Sequence, residues 1–255
     1  MDKKQHLLTR LDEIGGALAR KGHALALIGL GSVGLELNRL DAYSDLDFFA
    51  VVEPGYKRSF IEKLDWLSVI RPIAYAFLNT ADGYKLLFDD GVFCEFAVFE
   101  PDELRGISFA PGRVIWKQPQ VAENIAIPAT MPQSWAPHDT AWVVGEALTN
   151  LYVGMERYRR GEKLSAMRFI QHYAVDRVLD LASLVEPEQP VFKDPFSNER
   201  RFEQRFPQLA LQLSDFAAGY DRSPEAALAI LVFLERHFEV NARMAEEIRR
   251  LCVGG

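Results

Sequence analysis

Leu27-Ile28-Gly29-Leu30-Gly31-Ser32, followed after a loop by Ser44-Asp45-Leu46-Asp47-Phe48-Phe49-Ala50-Val51-Val52, is the stretch from which the fold can be read. Ala24 to Leu30 is an apolar run of buried-strand length, and Gly31-Ser32 breaks it. Leu46 to Val52 reads as a second strand, closed by Glu53-Pro54-Gly55. Strand side chains alternate faces, so Asp45 and Asp47 project to one side while Leu46 turns into the core. Two carboxylates on one strand face suit a divalent cation. Mg²⁺ in particular takes hard oxygen ligands, often one or two carboxylates together with substrate phosphates. Without a metal the two, ~7 Å apart along a strand, are expected to repel, so removing one charge should not destabilise the metal-free protein. The Gly31-Ser32 turn would offer backbone N–H groups and a hydroxyl to phosphate oxygens.

Working outward, Leu7, Leu8, Leu11, Ile14 and Leu18 recur at helical spacing between Asp2 and Arg20, ahead of Gly22. Phe60 to Ile70 has helical periodicity as well. Ile73 to Leu78, Tyr84 to Phe88 and Val92 to Phe99 read as strands, separated by the turn signals Asp82-Gly83 and Asp90-Gly91. Strands and flanking helices of this kind make an α+β domain. Pro128, Pro132 and Pro137 mark a connector of low periodicity, and the expected helices beyond it are His138–Arg160, Leu164–Val185, Asn198–Tyr220 (broken at Pro207) and Pro224–Leu251. The C-terminal half is therefore expected to be an all-helical bundle.

The whole-chain properties narrow the choice of function. Of 255 residues, 49% are hydrophobic and 25% charged, an ordinary globular composition with material for real cores. The formal net charge of -7 argues against a duplex nucleic-acid module, which relies on Lys and Arg to neutralise phosphates, and would suit a cationic small molecule better. Cys94 and Cys252 lack zinc-site or disulfide spacing and read as inert buried thiols. No signal-peptide core and no membrane span is apparent, so a cytoplasmic location is expected.

The Gly-Ser turn followed by Asp-x-Asp resembles the signature of the polymerase β nucleotidyltransferase superfamily, with the antibiotic (aminoglycoside and lincosamide) nucleotidyltransferases as the branch it looks most like. That resemblance implies a nucleotidyltransferase domain over about residues 1–125, a connector over 126–137 and a helical acceptor-side domain over 138–255, with the active site in the cleft between the two domains. It implies ATP or another nucleoside triphosphate as co-substrate, Mg²⁺ as metal, and a small-molecule acceptor whose hydroxyl attacks the α-phosphorus and releases pyrophosphate. Asp45 and Asp47 would hold the metal, Gly31, Ser32 and Ser44 would contact the nucleotide, and Glu95, in Phe93-Cys94-Glu95-Phe96, would be the third carboxylate, as ligand or general base. Glu146 is a further candidate base. The loop Val33–Tyr43 is longer than the family's, and Val33-Gly34-Leu35-Glu36 stands where small and basic residues are usual. Arg39, Lys57 and Lys85 are the nearest basic candidates, and spacing selects none of them.

Gly29-Leu30-Gly31-Ser32-Val33-Gly34 also satisfies the dinucleotide-binding G-x-G-x-x-G pattern. That fold needs repeated parallel βαβ units, whereas here the next strand begins within about a dozen residues and hairpins follow. The alternative of a different class is a non-catalytic or regulatory protein on the same fold, binding a nucleotide or a protein partner.

Overall fold

The computed structural model describes residues 2–130 and 139–253. Pro132, Pro137 and His138, part of the expected connector and helix start, lie outside the described residues. The chain divides into two compact units, Met1–Pro132 and Gln133–Gly255.

The first unit opens with α1 (Lys3–Lys21), whose Leu7, Leu11, Ile14 and Leu18 make one buried stripe. It continues through β1 (Ala24–Gly29), β2 (Leu46–Val52), two short helices α2 (Lys57–Glu62) and α3 (Asp65–Ser68), β3 (Ile73–Thr80), β4 (Gly83–Phe88), β5 (Phe93–Phe99), α4 (Pro101–Gly106) and β6 (Arg113–Lys117). The strands form a six-stranded sheet in the order β3-β4-β5-β2-β1-β6. β2 and β5 pair in parallel, and every other neighbouring pair is antiparallel.

Alternation along β2 and β5 builds a core on each face. Leu46, Phe48, Ala50 and Val52, with Cys94, Phe96 and Val98, pack against the stripe of α1 and against Phe60 and Trp66. Phe48 stacks on Phe96 at 5.1 Å between ring centroids, and Trp66 meets Phe96 edge-on at 5.4 Å. The opposite face carries Phe49 and Val51, which join Ala26, Ile28, Phe99, Leu104 and Phe109 in a second, smaller cluster. Asp47 shares that second face, at the N-terminal end of β2.

One ion pair fastens α1 to the sheet. Arg10, 4% exposed, donates from Nη2 to Asp90 Oδ2 at 2.6 Å and lies over the Phe88 ring at 4.6 Å. Asp90 sits in the β4–β5 turn, where Oδ1 also accepts from Val92 N at 3.4 Å and His6 Nε2 lies 3.0 Å from Oδ2. Burial alone would raise the Asp90 pKa, but Arg10 outweighs it and the carboxyl is lowered to about 2.

In the second unit, α5 (Thr140–Arg159) packs with α6 (Lys163–Arg168), a π-helical turn (Phe169–Ala174) and α7 (Val175–Val185). Short helices α8 (Phe202–Arg205), α9 (Pro207–Ala210) and α10 (Leu213–Phe216) follow, then α11 (Ser223–His237) and α12 (Ala242–Val253). No helix among the described residues is long and apolar enough to cross a membrane.

Several sequence expectations need correction. Phe60–Ile70 is not one helix: Lys63 is extended, and the Trp66 indole donates to Phe60 O at 3.2 Å where a continuing helix would use that carbonyl. Asn198–Tyr220 is three single turns. Pro224–Leu251 is two helices, because Asn241 Oδ1 accepts from Met244 N at 3.0 Å and so caps a new start after the extended Phe238. α4 and β6 are additional to the expected elements, and Glu100-Pro101-Asp102-Glu103 is a legible capping box: Glu100 N donates to Glu103 Oε2 at 2.9 Å, with Pro101 opening the helix.

Candidate active site

The chain leaves β1 through a 3-10 turn, Gly31–Val33. Gly31 has φ +51, a conformation costly for residues with a Cβ, and the turn is closed by Val33 N and Gly34 N donating to Leu30 O at 3.1 and 3.0 Å. Leu30 N donates to Asp47 O at 2.8 Å, which fixes the turn against the start of β2. From β6, Arg113 donates to Val33 O at 3.0 Å and Gly34 O at 3.3 Å, a support that nothing in the sequence pattern singled out. Ser32 is buried at 5% exposure.

The parallel β2–β5 register sets Asp47 directly beside Glu95, and the antiparallel β5–β4 register sets Glu95 beside Lys85. Asp45, half-buried, precedes β2 by one residue. The row across the sheet therefore runs Asp47, Glu95, Lys85. Lys85 Nζ lies 3.3 Å from Glu95 Oε2, with both side chains nearly half exposed, and Asn79 Nδ2 reaches Glu95 Oε1 at 3.5 Å.

The structure also separates the basic candidates that spacing could not. Lys57 is tied to Asp82 at 2.6 Å and Glu103 at 2.7 Å; burial works against its charge, but the two carboxylates hold its pKa above the usual value. Lys85 belongs to Glu95. Arg39 comes to the turn itself: a Cβ built on Gly31 would lie 3.4 Å from Arg39 Nη2 and 3.7 Å from Asp47 Oδ2. A guanidinium and a carboxylate thus both face the same point beside the glycine.

The Ser44 Oγ donates to Asp41 Oδ1 at 3.1 Å and accepts from Asp41 N at 3.0 Å, closing the loop before β2. Glu146 lies in the second unit, where it lines a small polar cavity of about 240 Å³ with Asn150, Tyr173, Asp176 and Arg177. Burial raises the Asp176 carboxyl there, against the pull of Arg177. Both cysteines are free and buried. Burial pushes the Cys252 thiol up to about 11 and Cys94 higher still, so neither is a ready nucleophile.

Among the described residues, no group of three or more His, Cys, Asp or Glu side chains is gathered closely enough to hold a metal ion. Asp47 and Glu95 are neighbours in register, Asp45 precedes β2 by one residue, and Glu95 is turned to Lys85 and Asn79. Their donor chemistry nonetheless fits Mg²⁺, which needs only one or two protein carboxylates when phosphates and water complete its shell.

No family model matches the chain, and no curated protein matches it. Among solved structures, an aminoglycoside 6-adenyltransferase from Bacillus subtilis is similar at 11% identity, over 99% of this chain and 92% of that one, with a TM-score of 0.35.

Proposed function

We propose that this chain is a metal-dependent nucleotidyltransferase, moving a nucleoside monophosphate from a triphosphate to a hydroxyl of a small acceptor. The observation that carries the reading is the parallel register of Asp47 and Glu95 beside the Gly31 turn, which Asp47 and Arg39 both face. Asp45 and Asp47 would hold Mg²⁺, with Glu95 beside them as the third carboxylate; bound there, the ion would neutralise charge on the phosphates. The Gly31-Ser32 turn would orient the triphosphate, since the first N–H groups of a helical turn have no partner within it. The acceptor oxygen forms a bond to the α-phosphorus as the α–β phosphoanhydride bond breaks, pyrophosphate leaves, and Glu95 takes the hydroxyl proton. The acidic surface charge would favour a cationic acceptor.

A ligand bound only by the native state raises its stability by mass action, about 2.7 kcal/mol at a hundredfold excess over Kd. Melting curves with ATP in Mg²⁺ should therefore rise against curves in chelator, and a flat response through millimolar ATP would count against the site. Glu95→Gln should lower transfer about a hundredfold, the scale of a lost general base, while leaving ATP affinity close to the parent's. Equal turnover in the two proteins would remove Glu95 from the mechanism.

One observation favours a second reading, a nucleotide-binding protein without transfer: Glu95 is already held by Lys85 and Asn79. Pyrophosphate release on mixing Mg-ATP with a panel of hydroxylated amines separates the two. Binding with no release in any mixture supports the second.

A further inference from the structure

We infer that Arg39 is a resident counter-ion of the carboxylate site, standing where a metal would act on Asp47 and serving the triphosphate once the metal has arrived. This rests on the proposed triphosphate site and assigns a role within it that the Gly-Ser turn leaves open. The guanidinium is aimed by its own loop. Arg39 Nε donates to Glu36 Oε2 at 2.6 Å, Arg39 N donates to Glu36 O at 2.8 Å, and Glu36 N donates to Gly31 O at 3.1 Å. The Glu36 side chain is 11% exposed and that of Arg39 30%, so the carboxylate end of the tether is the sheltered one. The chain from the phosphate-side turn to the guanidinium is thus a closed set of short bonds, and it ends with Nη2 and Asp47 Oδ2 both within 4 Å of one point beside Gly31.

Two charges of opposite sign facing one point have opposite consequences for two ligands. A bare divalent cation approaching Asp47 meets a fixed positive charge and must compete with it. A triphosphate brings its own negative charge, which the same guanidinium can neutralise with paired N–H donors, while the metal takes over Asp47. Arg39 should therefore weaken binding of metal alone and strengthen binding of metal with triphosphate. Val33-Gly34-Leu35, directly after the Gly-Ser turn, offers no cation of its own, and the longer loop supplies one from Arg39 instead.

The test is a pair of titrations on the full chain, parent against Arg39→Ala and Arg39→Lys. Mn²⁺ alone is followed by water-proton relaxation, and Mg-ATP by calorimetry, with circular dichroism and melting curves to establish that each variant is folded. Arg39→Ala is expected to bind Mn²⁺ alone about threefold tighter or more and Mg-ATP about tenfold weaker, the scale of one charge-assisted contact. Arg39→Lys, which keeps the charge and loses the fork, should leave Mn²⁺ affinity near the parent's and fall between the two for Mg-ATP. A loss of both affinities together would mean that Arg39 only holds the loop in shape. No change in either would also overturn the inference. If the parent binds Mn²⁺ but no Mg-ATP, the triphosphate reading fails, while the Mn²⁺ comparison still decides whether Arg39 opposes metal at Asp47.

Discussion

Asp90→Asn is expected to lower stability by about 2 kcal/mol at neutral pH, with the deficit closing in acid. Asp90 and Arg10 are 18% and 5% exposed at their side chains, so the pair is largely removed from solvent screening. With the carboxylate gone, Arg10 keeps Glu13 at 2.8 Å, which is nearly half exposed, and the face of Phe88. The remaining partners compensate a buried guanidinium only in part, and removing one member of such a pair is costly. The folded pKa of Asp90, about 2, lies below the unfolded carboxylate value. Its contribution is therefore complete above the unfolded value and is lost as pH falls through the folded one. Urea denaturation of parent and variant should show a gap at pH 7 that narrows between about pH 4 and 2. A gap that is absent at pH 7, or unchanged at pH 2.5, would show that α1 is held to the β4–β5 turn by packing alone.

The strands flanking the site were legible because the local signals there agree. β2 is Leu46–Val52 as read, since apolar alternation and the Glu53-Pro54-Gly55 stop point the same way. The turn at Gly31 was legible for a similar reason, as few residues other than glycine accept its φ. What the sequence could not give is register and everything that register brings together. Asp47 beside Glu95 depends on a parallel pairing across 48 residues of chain, and no local pattern encodes it. The same holds for cations. Lys85, Arg39 and Arg113 reach the site from β4, from a loop and from β6, three elements whose approach is set by tertiary packing. In the helical half, apolar periodicity runs on through Phe238–Asn241, whereas the chain is extended at Phe238 and the Asn241 side chain starts a new helix.

Those cations change what Asp47→Asn should do. From the sequence alone, two like charges on one strand face predict that losing one relieves repulsion and leaves the metal-free protein as stable or more so. In the structure the Arg39 guanidinium faces the same point as the Asp47 carboxylate, and Lys85 neutralises Glu95 one strand further on. The variant should therefore melt at or slightly below the parent in chelator, by less than about 1 kcal/mol, since Arg39 is 30% exposed and retains Glu36. The larger effect is on function. An amide is a poor ligand for a hard cation, so Asp47→Asn should lose most of the rise in melting temperature that Mg-ATP gives the parent. Transfer should fall on the order of a thousandfold, the scale of several kcal/mol of charge stabilisation withdrawn from the transition state. The measurements are melting curves in chelator and in saturating Mg-ATP, together with pyrophosphate release, on parent and variant side by side. A variant that keeps the parent's transfer rate, or gains as much from Mg-ATP, would leave Asp47 as a structural carboxylate paired with the loop cation and would end the metal-site reading.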